Sequence, residues 1–139
     1  LFCMNNTVIK SEVIKDFLIL SCIGKDDKIG LKIDSNFFVF NFDNKINSKD
    51  QLVTNIFNLV KKHKVILDQN FSVLVNIGPG SFSLIRISLA VVKGIKLSKN
   101  INYFGFKNSD LGQFNLDNIE FLIKKKLIQK KLIKPLYLS

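Results

Sequence analysis

Tryptophan is absent from the chain, and histidine, methionine and arginine occur once each, as His63, Met4 and Arg86. Each scarcity closes a route. A serine nucleophile such as Ser81 needs a base beside it. The only histidine ends a lysine-rich helix pattern, where it reads as a solvated cap residue. No group of His, Cys, Asp and Glu has metal-ligand spacing. Cys3 and Cys22 are far apart and form neither a CxxC pair nor a disulfide framework, so a reduced cytoplasmic setting is expected. No apolar run approaches a bilayer span, and the start lacks the basic-then-apolar pattern of a secretory leader. No membrane role is expected. The chain opens on Leu1, which makes Met4 or an alternative start codon the expected beginning. Residues 1–10 carry no weight in the fold reading.

What is present supports a folded domain. Hydrophobic residues make up 47% of 139 positions, enough for one core and too few residues for two complete domains. The net charge is +10. Lys, Asn, Ile and Phe are abundant while Arg and Trp are scarce, which is the codon preference of an AT-rich genome. Most of the charge is therefore read as drift and solvated faces, with a real anionic partner as the alternative.

Three short apolar runs come first: Phe17 to Cys22, Ile29 to Ile33 and Phe37 to Phe42. Turn residues at Gly24–Asp27 and Asn36 separate them, so an antiparallel meander is expected. Asp26 and Asp27 read as turn residues rather than a carboxylate dyad. Ser48-Lys-Asp-Gln51 has capping-box spacing, and Leu52, Val53, Ile56, Phe57, Leu59 and Val60 follow at helical spacing. That predicts a helix over Ser48–Lys64, with cations in its last turn. Phe71 to Ile77 reads as a buried central strand. Ser83 to Ser98 reads as a second helix, Ile101 to Phe106 as a strand, Lys107 to Asp117 as a loop. Ile119 to Lys134 is expected to be a basic amphipathic helix ended by Pro135.

The segment that carries most information is Gly78-Pro79-Gly80-Ser81-Phe82-Ser83-Leu84-Ile85-Arg86, a glycine turn between strand and helix. Glycines permit a sharp turn, and a helix start presents unpaired N–H groups to an anion or a close protein contact. Arg86 is the one planar fork among otherwise lysine cations. It reads either as a surface ion pair or as a fork toward a partner carboxylate or a phosphate. A dinucleotide fingerprint is excluded by Ser83 at the third glycine, and a Walker A loop by the missing Gly-Lys-Ser/Thr. On the following helix, Leu84, Ile87, Val91 and Ile95 form one apolar stripe and Ile85, Leu89 and Val92 another. Packing on one sheet needs a single stripe. The second is expected to meet another helix or another chain.

Gly78 to Gly94 resembles the bacterial TsaB (YeaZ) family, whose segment typically reads GPGSFTGLRIGLATAKGLA. Ile101-Asn-Tyr-Phe-Gly-Phe106 resembles the family's next strand, and Pro135-Leu-Tyr-Leu-Ser139 its C-terminal PLYLR. The resemblance implies an α/β, actin/sugar-kinase-like (ribonuclease H-like) fold. Its mixed sheet has three antiparallel strands, then alternating helix and strand, with two principal helices. It implies a TsaB-like domain at 1–106 and, at 107–139, a remnant of the family's second domain. It also implies a non-catalytic scaffold for threonylcarbamoyladenosine formation in tRNAs reading codons that begin with A. Partners would be TsaD and TsaE, or a second copy as homodimer, with tRNA reached only through the complex. No cofactor is expected on the chain alone, and ATP or ADP is expected only at the junction with TsaD.

Docking is then expected through Leu52, Ile56 and Leu59 on the first helix and Ile85, Leu89 and Val92 on the second. Leu89→Asp is expected to abolish association in a chain that still folds. Gly78, Pro79, Gly80, Ser81, Phe82, Ser83 and Arg86 form the anion or interface motif. Four departures from the family pattern stand out: Ser83, Leu84 and Ser88 replace Thr, Gly and Gly, and Ser21 occupies the aspartate position of the first strand. Two rivals remain. One is a small nucleotide- or anion-binding enzyme using the Gly78–Ser83 turn. The other is a self-associating paralogue that binds RNA, in which the Lys124–Lys134 cluster is a contact tail rather than a solvated face.

Overall fold

The computed structural model describes residues 14–42, 48–125 and 128–129. Strands β1 (Phe17–Ser21), β2 (Lys28–Ile33) and β3 (Asn36–Asn41) form the expected meander. Helix α1 (Ser48–Lys62) follows, then β4 (Ser72–Asn76), α2 (Phe82–Lys99), β5 (Asn102–Phe106), α3 (Leu116–Lys124) and β6 (Ile128–Gln129). The sheet has six strands in the order β3-β2-β1-β4-β5-β6. β1, β4 and β5 run parallel; β2, β3 and β6 are antiparallel to their neighbours. The fold class is the mixed α/β sheet with two principal helices that the sequence implies. The side chain of Ser48, and with it the capping box, lies outside the described residues, as do Lys126, Lys130 to Lys134 and the Pro135 tail.

Alternation along the central strands divides the core. Leu18, Leu20, Val73 and Val75 face α1 and α2, in one cluster with Leu52, Ile56, Ile85, Leu89 and Val92. Phe17, Ile19 and Leu74 face the other way and pack with Phe104, Phe106, Ile119 and Leu122 around α3. Both faces of β1 and β4 are thus covered, which is why these strands read as unbroken apolar runs. Among the described residues no helix is long and apolar enough to cross a membrane.

Three expectations need correction. The helix over Ile119–Lys134 is shorter and earlier. Asn115 caps it, its Oδ1 accepting from the Asn118 N–H at 2.8 Å, and it ends at Lys124. Ile128 then pairs with Phe106 on the open edge of β5, where ladder bonds and the α3 core satisfy it better than a further helical turn. His63 is no solvated cap; its ring stacks on Phe38 of β3, centroids 4.0 Å apart. The turn after β2 is Asp34–Ser35, and Asn36 already belongs to β3.

Candidate docking face and glycine turn

The glycine turn is built at the carboxyl end of β4. Asn76 is buried and accepts on Oδ1 from the Gly78 N–H at 2.9 Å. Its Nδ2 donates to Ser21 Oγ (3.2 Å) and Asn108 Oδ1 (3.1 Å), tying the ends of β1, β4 and the β5–α3 loop together. Gly78 has φ +95°, a left-handed conformation that side chains rarely adopt, and the Gly78–Pro79 peptide is cis. Gly80 is required for a different reason. A Cβ there would lie 2.6 Å from Ile23 Cβ and 2.7 Å from the Ile23 carbonyl oxygen. The same carbonyl accepts from the Ser81 N–H at 2.7 Å. Ser81 caps α2, its Oγ accepting from the Leu84 N–H at 3.4 Å.

The motif therefore clamps the β1–β2 turn onto the start of α2. Gly24, at φ +98°, completes the clamp, because a Cβ there would meet Ser81 Cβ at 2.9 Å. Two amides that an incoming anion would use, those of Ser81 and Leu84, are occupied by the chain itself. The clamp also explains the β1–β2 turn. Asp27 is buried, and its Oδ1 accepts from the Ile23 and Gly24 N–H groups at 3.0 and 2.8 Å. Among the described residues its Oδ2 has no hydrogen-bond partner. Burial pushes this carboxyl above the ordinary aspartate range, against the pull of the Gly24, Ile23 and Lys25 backbone amides. Burial, with Asp27 beside it, raises the Cys22 thiol as well, which makes it an unreactive core residue.

Ser21 stands at the carboxyl ends of the parallel strands, beside a cleft of about 350 Å³ lined by Lys25, Lys28, Asn108 and Gln113 among others. Open α/β sheets commonly bind ligands at such a crevice. Ser21 gives it a hydroxyl engaged with Asn76, where an aspartate would offer a charge.

The docking side chains chosen from the sequence are not on the surface. Leu52, Ile56, Ile85, Leu89 and Val92 are 0–6% exposed, and Leu59 is half-buried against the same cluster. They are the chain's own core, each contributing about 1.5–3 kcal/mol by burial. Leu89→Asp is corrected accordingly: it would place a charge in that core, and is expected to unfold the domain rather than leave a folded monomer. Leu84 and Ser88 also turn inward. Ser88 Oγ donates to the Leu84 carbonyl at 2.9 Å, and Leu84 packs toward the β1–β2 turn, so neither alters an outer face.

The outward face lies one step round the helices. Val53 and Phe57 on α1 are 38% and 49% exposed, and Ala90, Gly94 and Leu97 on α2 are exposed too. Between them runs a groove of about 280 Å³ whose lining includes Val53, Phe57, Leu67, Ala90, Val91 and Gly94. At Gly94 an added Cβ would meet nothing within 4 Å. Phe82 and Arg86 extend the same side of α2 toward the glycine turn. The Arg86 guanidinium carbon sits 5.0 Å from the centroid of the Phe82 ring, and both residues are exposed. The wheel position of Arg86 and Lys93 carried the missing signal. Charged residues mark the outer side of a helix, and Ala90, Gly94 and Leu97 share it.

No protein-family profile matches the sequence, and no curated protein matches it. Solved structures do. YeaZ from Pseudomonas aeruginosa superimposes with a TM-score of 0.59 at 17% identity, over 68% of this chain and 44% of that one. An uncharacterized protein described as similar to peptidase YEAZ, from Pseudomonas aeruginosa, gives 0.57 at 17% identity, with the same 68% and 44% coverage. The chain thus has a YeaZ-like fold, and spans under half the length of the structures it resembles.

Proposed function

We propose that this chain is a non-catalytic scaffold of the TsaB type, which seats the α1–α2 face on TsaD in the complex that forms threonylcarbamoyladenosine in tRNA. The observation that carries the reading is the exposed apolar groove between α1 and α2, on the two helices that the motif resemblance points to. Burying Phe57, Val53 and Leu97 there contributes on the order of 1–2 kcal/mol each, before the cost of association. TsaE and tRNA join through the assembly, and ATP or ADP belongs at its junction rather than on this chain alone. The YeaZ-like fold supports the reading.

The rival, a nucleotide-binding enzyme using the Gly78–Ser83 turn, is not favoured. The Ser81 and Leu84 amides are taken, and Ile23 fills the space over Gly80. The experiment is co-purification of the full chain with TsaD, with Phe57→Ser as the face variant. A complex that Phe57→Ser weakens supports the proposal. Absence of any complex at micromolar concentration refutes it.

A further inference from the structure

We infer that the end of the molecule where β1, β4 and β5 begin binds an anionic lipid bilayer, with Ile66 and Leu97 entering it among a ring of lysines. The inference goes beyond the docking reading and does not rest on it.

Parallel order gathers this surface. β1, β4 and β5 run side by side in one direction. α1 leads into β4 and α2 into β5, so both helices end where those strands begin. Their C-terminal halves, with Lys64 just beyond α1, bring Lys61, Lys62, Lys64, Lys93, Lys96 and Lys99 to this end. Lys15, just before β1, and Lys32, opposite Phe17, complete the ring. The carboxylates here are Asp16, Asp34 and Asp68. Asp16 Oδ1 accepts from the Asp34 N–H and Asp68 Oδ1 from the Asn70 N–H.

Eight cations therefore meet three carboxylates at this end, while six meet five over the remaining described side chains. A codon bias spreads lysine over the surface and does not produce that division. Compensation of the helix dipole reaches only the last turn, and leaves Lys15, Lys32, Lys64 and Lys93 without a reason. Lys32 Nζ donates to the Lys15 and Asp34 carbonyls and Lys96 Nζ to Asn100 Oδ1, all uncharged acceptors. Among the described residues none of the eight is in an ion pair.

The second observation is independent of charge. Ile66 is 77% exposed and Leu97 88%, and no other large apolar side chain among the described residues exceeds 53%. Both belong to this end, Ile66 in the loop between α1 and β4 and Leu97 in the last turn of α2. Leu67, Ile95 and Lys99 line one groove, so the loop runs beside that turn. A single exposed apolar residue is ordinary. The two barest, on neighbouring segments within a ring of unpaired lysines, match what a peripheral membrane surface needs. Nucleic acid would neutralise the lysines and leave Ile66 and Leu97 in water. Leu97 also borders the α1–α2 face, so a protein seated there leaves Ile66 and the lysines to the bilayer. Sequence patterning hides the surface, because its parts come from separate stretches between Lys15 and Lys99.

The test is flotation of the full chain with vesicles of phosphatidylcholine alone and of an equal mixture with phosphatidylglycerol. Binding is expected only to the mixture, weakening as salt rises. Lys64→Gln and Lys99→Gln are each expected to lower partitioning about fivefold. Ile66→Ser is expected to lower it about tenfold in a chain that melts with the wild type. The chain has no tryptophan, so Ile66→Trp supplies a single reporter. Its emission is expected to shift to the blue on the mixed vesicles. Phe121→Trp, on α3 across the sheet, is expected not to shift.

Equal binding to both vesicles, no binding to the mixture at low salt, or binding that leaves the Ile66→Trp emission unshifted overturns the inference. So does a single-stranded oligonucleotide that binds through the same lysines more tightly than the mixed vesicles, with Ile66→Ser without effect. None of these outcomes bears on the complex with TsaD, which Phe57→Ser tests separately.

Discussion

Replacing Gly80 by alanine separates a clamp from a ligand cradle. The added Cβ would lie 2.6 Å from Ile23 Cβ, 2.7 Å from the Ile23 oxygen and 3.3 Å from Ile23 Cα. Two of those three neighbours are backbone, so a rotamer change cannot relieve the clash. The β1–β2 turn must withdraw by most of an ångström, and the 2.7 Å bond from the Ser81 N–H to the Ile23 carbonyl then opens. Overpacking costs about 1–3 kcal/mol and the lost hydrogen bond about 1 more. The smaller unfolded-state entropy of alanine returns about 0.5 kcal/mol. The net is a destabilisation of about 2–3 kcal/mol, a fall in Tm on the order of 10 °C. Thermal melts followed by circular dichroism read this directly, with Gly94→Ala as the control for a glycine replacement without a clash. A Gly80→Ala chain that melts with the wild type would refute the clamp. Loss of nucleotide binding without loss of stability would restore the cradle.

Three further outcomes follow from the same geometry. Gly94→Ala is expected to stabilise the chain by about 1 kcal/mol, since the helix gains a better former and the methyl meets nothing within 4 Å; a urea midpoint that does not rise contradicts it. Leu89→Asp is expected to abolish cooperative unfolding, because Leu89 is 6% exposed in the core under α2; a folded, soluble Leu89→Asp monomer would return this residue to the outer face. Asp27 titrates higher in the folded chain than in the unfolded one, so the folded state holds the proton more tightly. The stability this confers is complete below the ordinary aspartate pKa and is lost as pH rises through the folded value. Asp27→Asn is expected to flatten that loss, and parallel urea-midpoint curves for the two proteins over acidic to neutral pH would contradict it.

The sequence made much of the architecture readable, for identifiable reasons. Short apolar runs, alternating only over Ile29 to Ile33, with turn residues between them located β1 to β3, and the apolar run at Phe71–Ile77 located β4. Helix α2 was readable as a helix but not in its orientation. Both of its stripes are apolar, and hydrophobicity cannot choose between two greasy sides. Only the azimuth of Arg86 and Lys93 separates Ile85, Leu89 and Val92 on the inside from Ala90, Gly94 and Leu97 on the outside. Strand β6 was hidden because two residues next to a lysine run look like the tail of a helix until the edge of β5 is there to pair them. Asp27 was readable as a turn residue, but its burial, and the bonds it accepts from the Ile23 and Gly24 amides, appear only once the turn is folded. The glycines of the Gly78–Ser81 motif were visible at once. What they make room for, Ile23, is a tertiary fact.

The most direct test of the docking claim is light scattering of the full chain mixed with TsaD, wild type against Gly94→Leu. The expected result is a heteromeric complex with the wild type, lost in a Gly94→Leu chain that melts no lower. A complex that forms equally well with the groove filled would contradict it.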